Sequence, residues 1–264
     1  MEFVSTERRG QIFIIALNRP DRLNALGTQL RADLAAAMCE FRDDDNLEVA
    51  ILTGTGRAFC AGEDMKESAA EGTPGGKTHP ADDPFRHGTL RKPVIAAING
   101  FAMGGGFMLV ERTDLRVAVR TAVFEISEAK RWLLGGYNHG HLAGLPHPIA
   151  TEMALGFRFK AERLYEVGFL NRLVEPDDLI PSAVAMAEHM LTLPPAARVN
   201  TVHMMRQMRP QVAPPLENLA GRLHDHGAKS DLLESRKAFN EKRAPAFKGW
   251  DNPEDRHNLP EVED

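Results

Sequence analysis

Short apolar runs separated by helical stripes restrict this chain more than any other feature. Ile12–Leu17 (IFIIAL) is rich in β-branched residues and closed by Asn18-Arg19-Pro20, which predicts a buried strand followed by a turn. Beyond it Leu30, Leu34, Ala37 and Phe41 recur at i, i+4, i+7 and i+11, one stripe of a helix, and Asp43-Asp44-Asp45 ends the pattern. Val49–Gly54 and Pro93–Gly100 are two further buried-strand runs. Phe107–Val110 opens a helix, and Leu115–Val119 and Ala122–Ile126 predict strands again. Strands alternating with helices place the chain in the α/β class. From Pro181 onward the pattern changes. Ser182–Leu193, the stretch after Pro194-Pro195, and Leu216–Lys242 all read as helical, with no strand pattern between them.

A chain of 264 residues is one large domain, or one domain with an appendage. Its 32 Lys and Arg against 37 Asp and Glu give a formal charge of -5, and no basic cluster stands out, which argues against a nucleic-acid partner. Only Cys39 and Cys60 are present, so no disulfide framework carries the fold and the composition suits a reducing compartment. Met1–Gly10 lacks the apolar core of a signal peptide, and no apolar run reaches the roughly 18 to 20 residues that cross a bilayer. A cytoplasmic protein without a membrane partner is expected. Lys66–Arg91 mixes Gly, Pro, charge and His without lasting periodicity, so much of it is expected to be a surface loop, either the border of a site or a solvated insertion.

Two glycine-rich stretches follow strands. Thr53–Met65 (TGTGRAFCAGEDM) contains neither GxGxxG nor GxxxxGK[ST], so a nucleotide fold gains little support from it. Gly104-Gly105-Gly106 opens a predicted helix, where free backbone N–H groups favour negative charge; close backbone packing is the competing explanation.

Taken together and in order, the segments are far more specific. LNRPDRLNAL (17–26), FCAGED (59–64), KPVIAAINGFAMGGG (92–106), SEAK (127–130), AERLYEVGFLNRLV (161–174) and AFNEKRAP (238–245) resemble the crotonase family of enoyl-CoA hydratases and isomerases across nearly the whole chain. The resemblance implies a crotonase-like spiral of ββα units over 1–194. A C-terminal helical trimerisation region over 195–250 and an acidic tail at 251–264 would follow, in a homotrimer or dimer of trimers. It implies an acyl-CoA thioester substrate, no cofactor beyond that CoA, and no metal. An enolate oxygen would be held by two backbone N–H groups, those of Glu63 and Gly105, a device worth several kcal/mol. Arg22, Leu23, Ala25, Arg57, Ala61, Gly62, Asp64, Met65, Met103, Gly104 and Met108 would meet the CoA ester. Arg22 and Arg57 either bind its phosphates or are ordinary solvated arginines.

Hydration asks for two carboxylates, one to activate water and one to exchange a proton at C2. By the resemblance the second is Glu128, after Ser127, while the position of the first holds Met108, and methionine accepts no proton. A lone carboxylate there is similar to the isomerases, in which one base shuttles a proton from C2 to C4. The competing reading of Glu128 is a surface carboxylate near Lys130. Gly135–His141 (GGYNHGH) also departs from the family's usual Pro-Gly-Ala-Gly-Gly. Ser127, Trp132, Tyr137 and His139 are acyl-pocket candidates, and Tyr137 or His139 could act as an acid in hydrolytic, decarboxylating or lyase chemistry, or only shape the pocket. Glu63, Glu111 and Glu125 are the carboxylates that could replace the missing one in a hydratase. Met103, Phe107 and Met108 make the pocket apolar or pack the core. His139/His141 and His224/His226 lack a recognisable third ligand and are read as non-metal. A non-catalytic acyl-CoA-binding homologue is the remaining alternative.

Overall fold

The computed structural model describes residues 1–71, 79 and 81–263. Residues 72–78 and 80 of the expected loop, and residue 264 of the tail, lie outside the described residues. In chain order the elements are β1 (Val4–Arg9), β2 (Ile12–Leu17), α1 (Thr28–Asp43), β3 (Val49–Gly54), β4 (Ala58–Cys60), α2 (Met65–Glu71), β5 (Val94–Ile98) and β6 (Phe101–Met103). Next come α3 (Gly105–Arg112), β7 (Leu115–Val119), β8 (Val123–Glu125), α4 (His139–Leu142), α5 (His147–Ala154), β9 (Arg158–Lys160) and α6 (Ala161–Glu166). The chain ends with β10 (Arg172–Val174), α7 (Leu179–Leu191), α8 (Pro195–Gln207), α9 (Pro214–His224) and α10 (Lys229–Asn240).

One sheet has the order β1-β2-β3-β5-β7-β10, parallel except where β1 meets β2; the other runs β4-β6-β8-β9, parallel except where β8 meets β9. Parallel strands covered on both faces need continuous apolar runs, and β5 is buried at every residue. Each of β3, β5 and β7 is followed at once by a three-residue strand of the second sheet, and the first two pairs by a helix, α2 or α3. This is the ββα repeat expected.

Two compact units divide the chain. The first comprises Met1–Glu125 and Arg158–Arg209, the second Ile126–Phe157 and the residues from Pro210 onward. In the first, α7 lies along β3, β5 and β7, and Phe107, Phe124 and Phe169 pack together, with the Phe107 and Phe169 rings stacked at 5.3 Å. There α8 is fastened by Arg206, whose Nε and Nη2 donate to the two Asp114 oxygens at 2.7 and 2.6 Å, while the Val94 N–H donates to the same carboxylate at 2.8 Å. In the second unit α9 and α10 divide the stretch expected as one helix from Leu216 to Lys242. The break at 225–228 is held where the Ala228 N–H donates to the Gly249 carbonyl at 2.9 Å.

The segment expected as a loop from Lys66 begins as helix. Asp64 starts α2 by accepting from the Lys66 and Glu67 N–H groups at 3.1 and 3.3 Å. Among the described residues no helix is long and apolar enough to cross a membrane.

Candidate active site

The first unit brings the two glycine-rich segments side by side. Leu26 donates to the Gly62 carbonyl at 2.7 Å and accepts from the Asp64 N–H at 3.4 Å. Both bonds straddle Glu63, so the N–H of Glu63 itself points away from Leu26. Gly105 is the first residue of α3, where an N–H has no partner within the helix. Among the described residues neither of these two N–H groups has an acceptor. They belong to neighbouring peptides: a Cβ placed on Gly105 would lie 4.0 Å from the Glu63 nitrogen, and one on Gly62 would lie 3.3 Å from the Gly105 nitrogen.

Glycine is required for this approach. Gly62 has φ 87, and its Cβ would meet the Met103 carbonyl oxygen at 2.7 Å. Gly104 adopts φ 48 and ψ -117, and its N–H donates to the Glu125 carbonyl at 2.7 Å, which fixes the entry to α3. The result is a pair of fixed dipoles, a means of stabilising developing oxyanion charge without reorganisation.

The neighbouring turn is held by Asn24, fully buried, whose Nδ2 donates to the carbonyls of Thr55, Ala58 and Phe59 at 3.0, 2.8 and 3.2 Å. Its Oδ1 accepts from the Arg19 N–H at 2.8 Å. Leu23 and Asn24 both stand in the left-handed region, with φ 52 and 55, and the Leu23 carbonyl accepts from the Ala61 N–H at 2.9 Å. Arg22, Leu23 and Ala25 are thereby set against the segment that carries Arg57 and Ala61, and both arginines are exposed. Met65, Met103 and Met108 are half-buried. Phe107 is core, not pocket, with no exposed surface.

The second unit carries Glu128. It opens a 3-10 turn over Glu128–Lys130, after Ser127, and its carbonyl accepts from the Arg131 and Trp132 N–H groups, both at 2.8 Å. Glu128, Trp132, Gly136, Tyr137 and His139 line a cavity of about 560 Å³. Glu128 Oε2 and the His139 Cδ2 stand 3.4 and 2.8 Å from one point, the place a Cβ on Gly136 would take. His139 is 8% exposed. Burial, and then the charge of Glu217, push the Tyr137 phenol up from its ordinary value, so it is a hydrogen-bond donor at neutral pH.

The model of the enoyl-CoA hydratase/isomerase family matches residues 7–251. The chain belongs to that family. The chain is 34% identical over 258 residues to an (E)-benzylidenesuccinyl-CoA hydratase of Thauera aromatica, covering 93% of this chain and 99% of that one. It is 30% identical over 276 residues to a 1,2-epoxyphenylacetyl-CoA isomerase of Escherichia coli (strain K12), covering 94% and 99%. The crystal structure of a carnitinyl-CoA hydratase from Mycobacterium avium superposes with a TM-score of 0.80 at 28% identity, covering 94% of this chain and 99% of that one. As a member of the crotonase superfamily, this enzyme processes acyl-CoA thioesters.

Two of the three carboxylates that could replace a second glutamate are engaged by other side chains. Glu63 accepts from the Ser68 hydroxyl. Glu125 accepts from Arg158 Nε at 2.5 Å. Glu111 lies 8% exposed near the end of α3. The Asp64 side chain, expected at the CoA ester, is 6% exposed, starts α2 and pairs with Arg19 Nη1 at 2.8 Å. Among the described residues no three His, Cys, Asp or Glu side chains gather as a metal site requires. Sequence reasoning missed the anchoring by Asn24 and the Arg19–Asp64 pair. The signal available was an Asn and an Arg embedded in otherwise unexplained motif positions.

Proposed function

We propose that this enzyme moves a double bond in an enoyl-CoA by one-base proton transfer. The N–H groups of Glu63 and Gly105 stabilise the thioester oxygen, and the Glu128 carboxylate carries the proton. The C2–H bond breaks and its proton goes to Glu128. The electron pair passes into the thioester carbonyl as a dienolate, and on its return the double bond moves from C3–C4 to C2–C3 while Glu128 gives the proton to C4. No water and no cofactor beyond the CoA of the substrate enters this transfer. The observation that carries the reading is the pair of acceptor-free N–H groups on adjacent peptides, and the family resemblance, which sets Met108 at the position of the other hydratase carboxylate, supports it. Arg22, Leu23, Ala25, Arg57 and Ala61 hold the CoA portion, and the enzyme works in the cytoplasm as a trimer or pair of trimers, which light scattering would register.

The test uses a 3-enoyl-CoA and crotonyl-CoA. Conversion of the former to the conjugated ester should fall about a hundredfold or more in Glu128→Gln, the usual worth of a general base. Efficient hydration of crotonyl-CoA that survives Glu128→Gln would overturn the reading. A second reading draws on His139 and Tyr137, which line the same cavity as Glu128. They would serve hydrolysis, decarboxylation or C–C cleavage, or hydration. Free CoA on turnover, lost in His139→Ala, would favour it, whereas acyl-CoA binding without C2 proton exchange would mark a non-catalytic homologue.

A further inference from the structure

The cavity beside Glu128 is larger than a short straight acyl group needs. At about 560 Å³ it has the volume of roughly eighteen water molecules in bulk liquid, and a four-carbon acyl chain would displace only a few. The remaining water would stay beside the reacting carbons and screen the charges that proton transfer uses. Its walls set rings and aliphatic surface among polar groups, Glu128, Asn138 and Asp225 included. Trp132 and Tyr137 contribute rings, Leu134 and Leu232 aliphatic surface, and His139 and His224 imidazoles. Trp132 is braced, with the Arg236 guanidinium 4.5 Å from its ring centroid. Gly136 keeps the space between Glu128 and His139 clear, since a Cβ there would stand 2.4 Å from Ile126 Cγ2 and 2.8 Å from the His139 ring.

Ring-lined walls favour a ring. An aromatic group gains edge or face contacts worth about 0.5–1.5 kcal/mol per ring pair beyond the area it buries, which a straight chain does not. We propose that the acyl group of the natural substrate carries an aromatic ring close to its reacting carbons and that Trp132 and Tyr137 receive that ring. This rests on the reading of Glu128 as the base, because that reading places the acyl group in this cavity.

Trp132 and Trp250 are the two tryptophans of the chain, so Trp250→Phe leaves Trp132 as the only indole emitter. Saturated esters that cannot turn over, 3-phenylpropanoyl-CoA, butanoyl-CoA and octanoyl-CoA, are titrated against this variant while Trp132 emission is followed. The phenylpropanoyl ester should bind at least tenfold more tightly than the butanoyl ester and change Trp132 emission at saturation. Trp132→Leu, followed by calorimetry, and Leu232→Phe, which narrows the cavity from another wall, should each abolish that preference while affinity for free CoA is unchanged. Equal affinity for the phenylpropanoyl and butanoyl esters, tighter binding of octanoyl-CoA, or unaltered emission at saturation would overturn the proposal. The same titration on Glu128→Gln separates the two readings. Retained turnover with an intact ring preference removes the base and leaves this inference standing, whereas lost turnover without ring preference does the reverse.

Discussion

Gly62→Ala displaces the Gly105 N–H, one of the two proposed oxyanion donors, without changing a charge. The alanine must hold φ 87, which costs a side-chain-bearing residue about 1–2 kcal/mol. Its methyl group starts 2.7 Å from the Met103 carbonyl oxygen and 3.3 Å from the Gly105 nitrogen, whereas ordinary contact begins at 3.4 Å. The Met103 carbonyl has to retreat, and Gly105 is only two residues further on, joined through a Gly104 whose N–H is fixed to Glu125. The Gly105 N–H therefore leaves its position. Loss of one such donor is worth about 2.7–4 kcal/mol, or 10²–10³ in kcat. The effect should fall on kcat and spare KM, because the enolate charge exists only as the reaction proceeds. The assay is exchange of the C2 proton in deuterated water, with a melting curve beside it. Strain alone should lower Tm by about 2–8 °C. A variant with the expected loss of Tm and kcat within threefold of the parent would refute the argument, since the glycine would then serve the fold and not the hole.

Three other outcomes follow from the same structure. Asp114→Ala removes the carboxylate that Arg206 and the Val94 N–H share while Arg206 keeps the Leu90 and Lys92 carbonyls, and should cost about 1.5–3 kcal/mol, with loss of hydrogen-exchange protection concentrated in α8; unchanged protection there would contradict it. Burial pushes the Asp64 carboxyl up, but the Glu67 and Lys66 N–H groups and the Arg19 guanidinium outweigh it and hold it below its ordinary value. Its contribution is therefore complete above about pH 4 and disappears as pH falls through the depressed value. The urea midpoint of the parent should exceed that of Asp64→Asn at neutral pH, and the gap should close in acid; a gap independent of pH would contradict this. Burial pushes the Cys60 thiol up to about 12, so a disulfide reagent at about pH 8 should leave it intact until the protein unfolds. Rapid labelling of Cys60 in the native state, located by mass spectrometry, would refute that.

The parts of the fold that bury both faces are the parts that sequence periodicity reveals. IFIIAL, VAILTG and VIAAI are continuous apolar runs because parallel sheet leaves them no wet side. β1 (VSTERR) escaped detection because it is an edge strand with five of its six residues exposed, and its pairing is set by β2. The second sheet is built from three-residue strands, and β4, β6 and β9 are too short to display a period of their own, whereas β8 lies inside the predicted run Ala122–Ile126. In the site, the resemblance pointed to Gly62 and Gly104–Gly106, and the close approach of their backbones is one that few other residues can meet. Side-chain direction was not legible. Asp64 stands in a motif beside Glu63, yet its carboxylate turns to a helix start and an arginine. Phe107, one residue from Met108, belongs wholly to an aromatic cluster.

The excursion Ile126–Phe157 leaves the first unit from Glu125 and returns to it at Arg158, and those two residues are cross-strand neighbours in β8 and β9 joined by an ion pair at 2.5 Å. The ends of the segment are thus closed by the sheet it departs from, as the ends of a hairpin are. Between those two residues lie Glu128, the proposed base, and Tyr137 and His139, which line the cavity with it. Any change within the segment therefore begins and ends on backbone that β8 and β9 already hold in register, so its length can vary at the modest entropic cost of a longer closed loop.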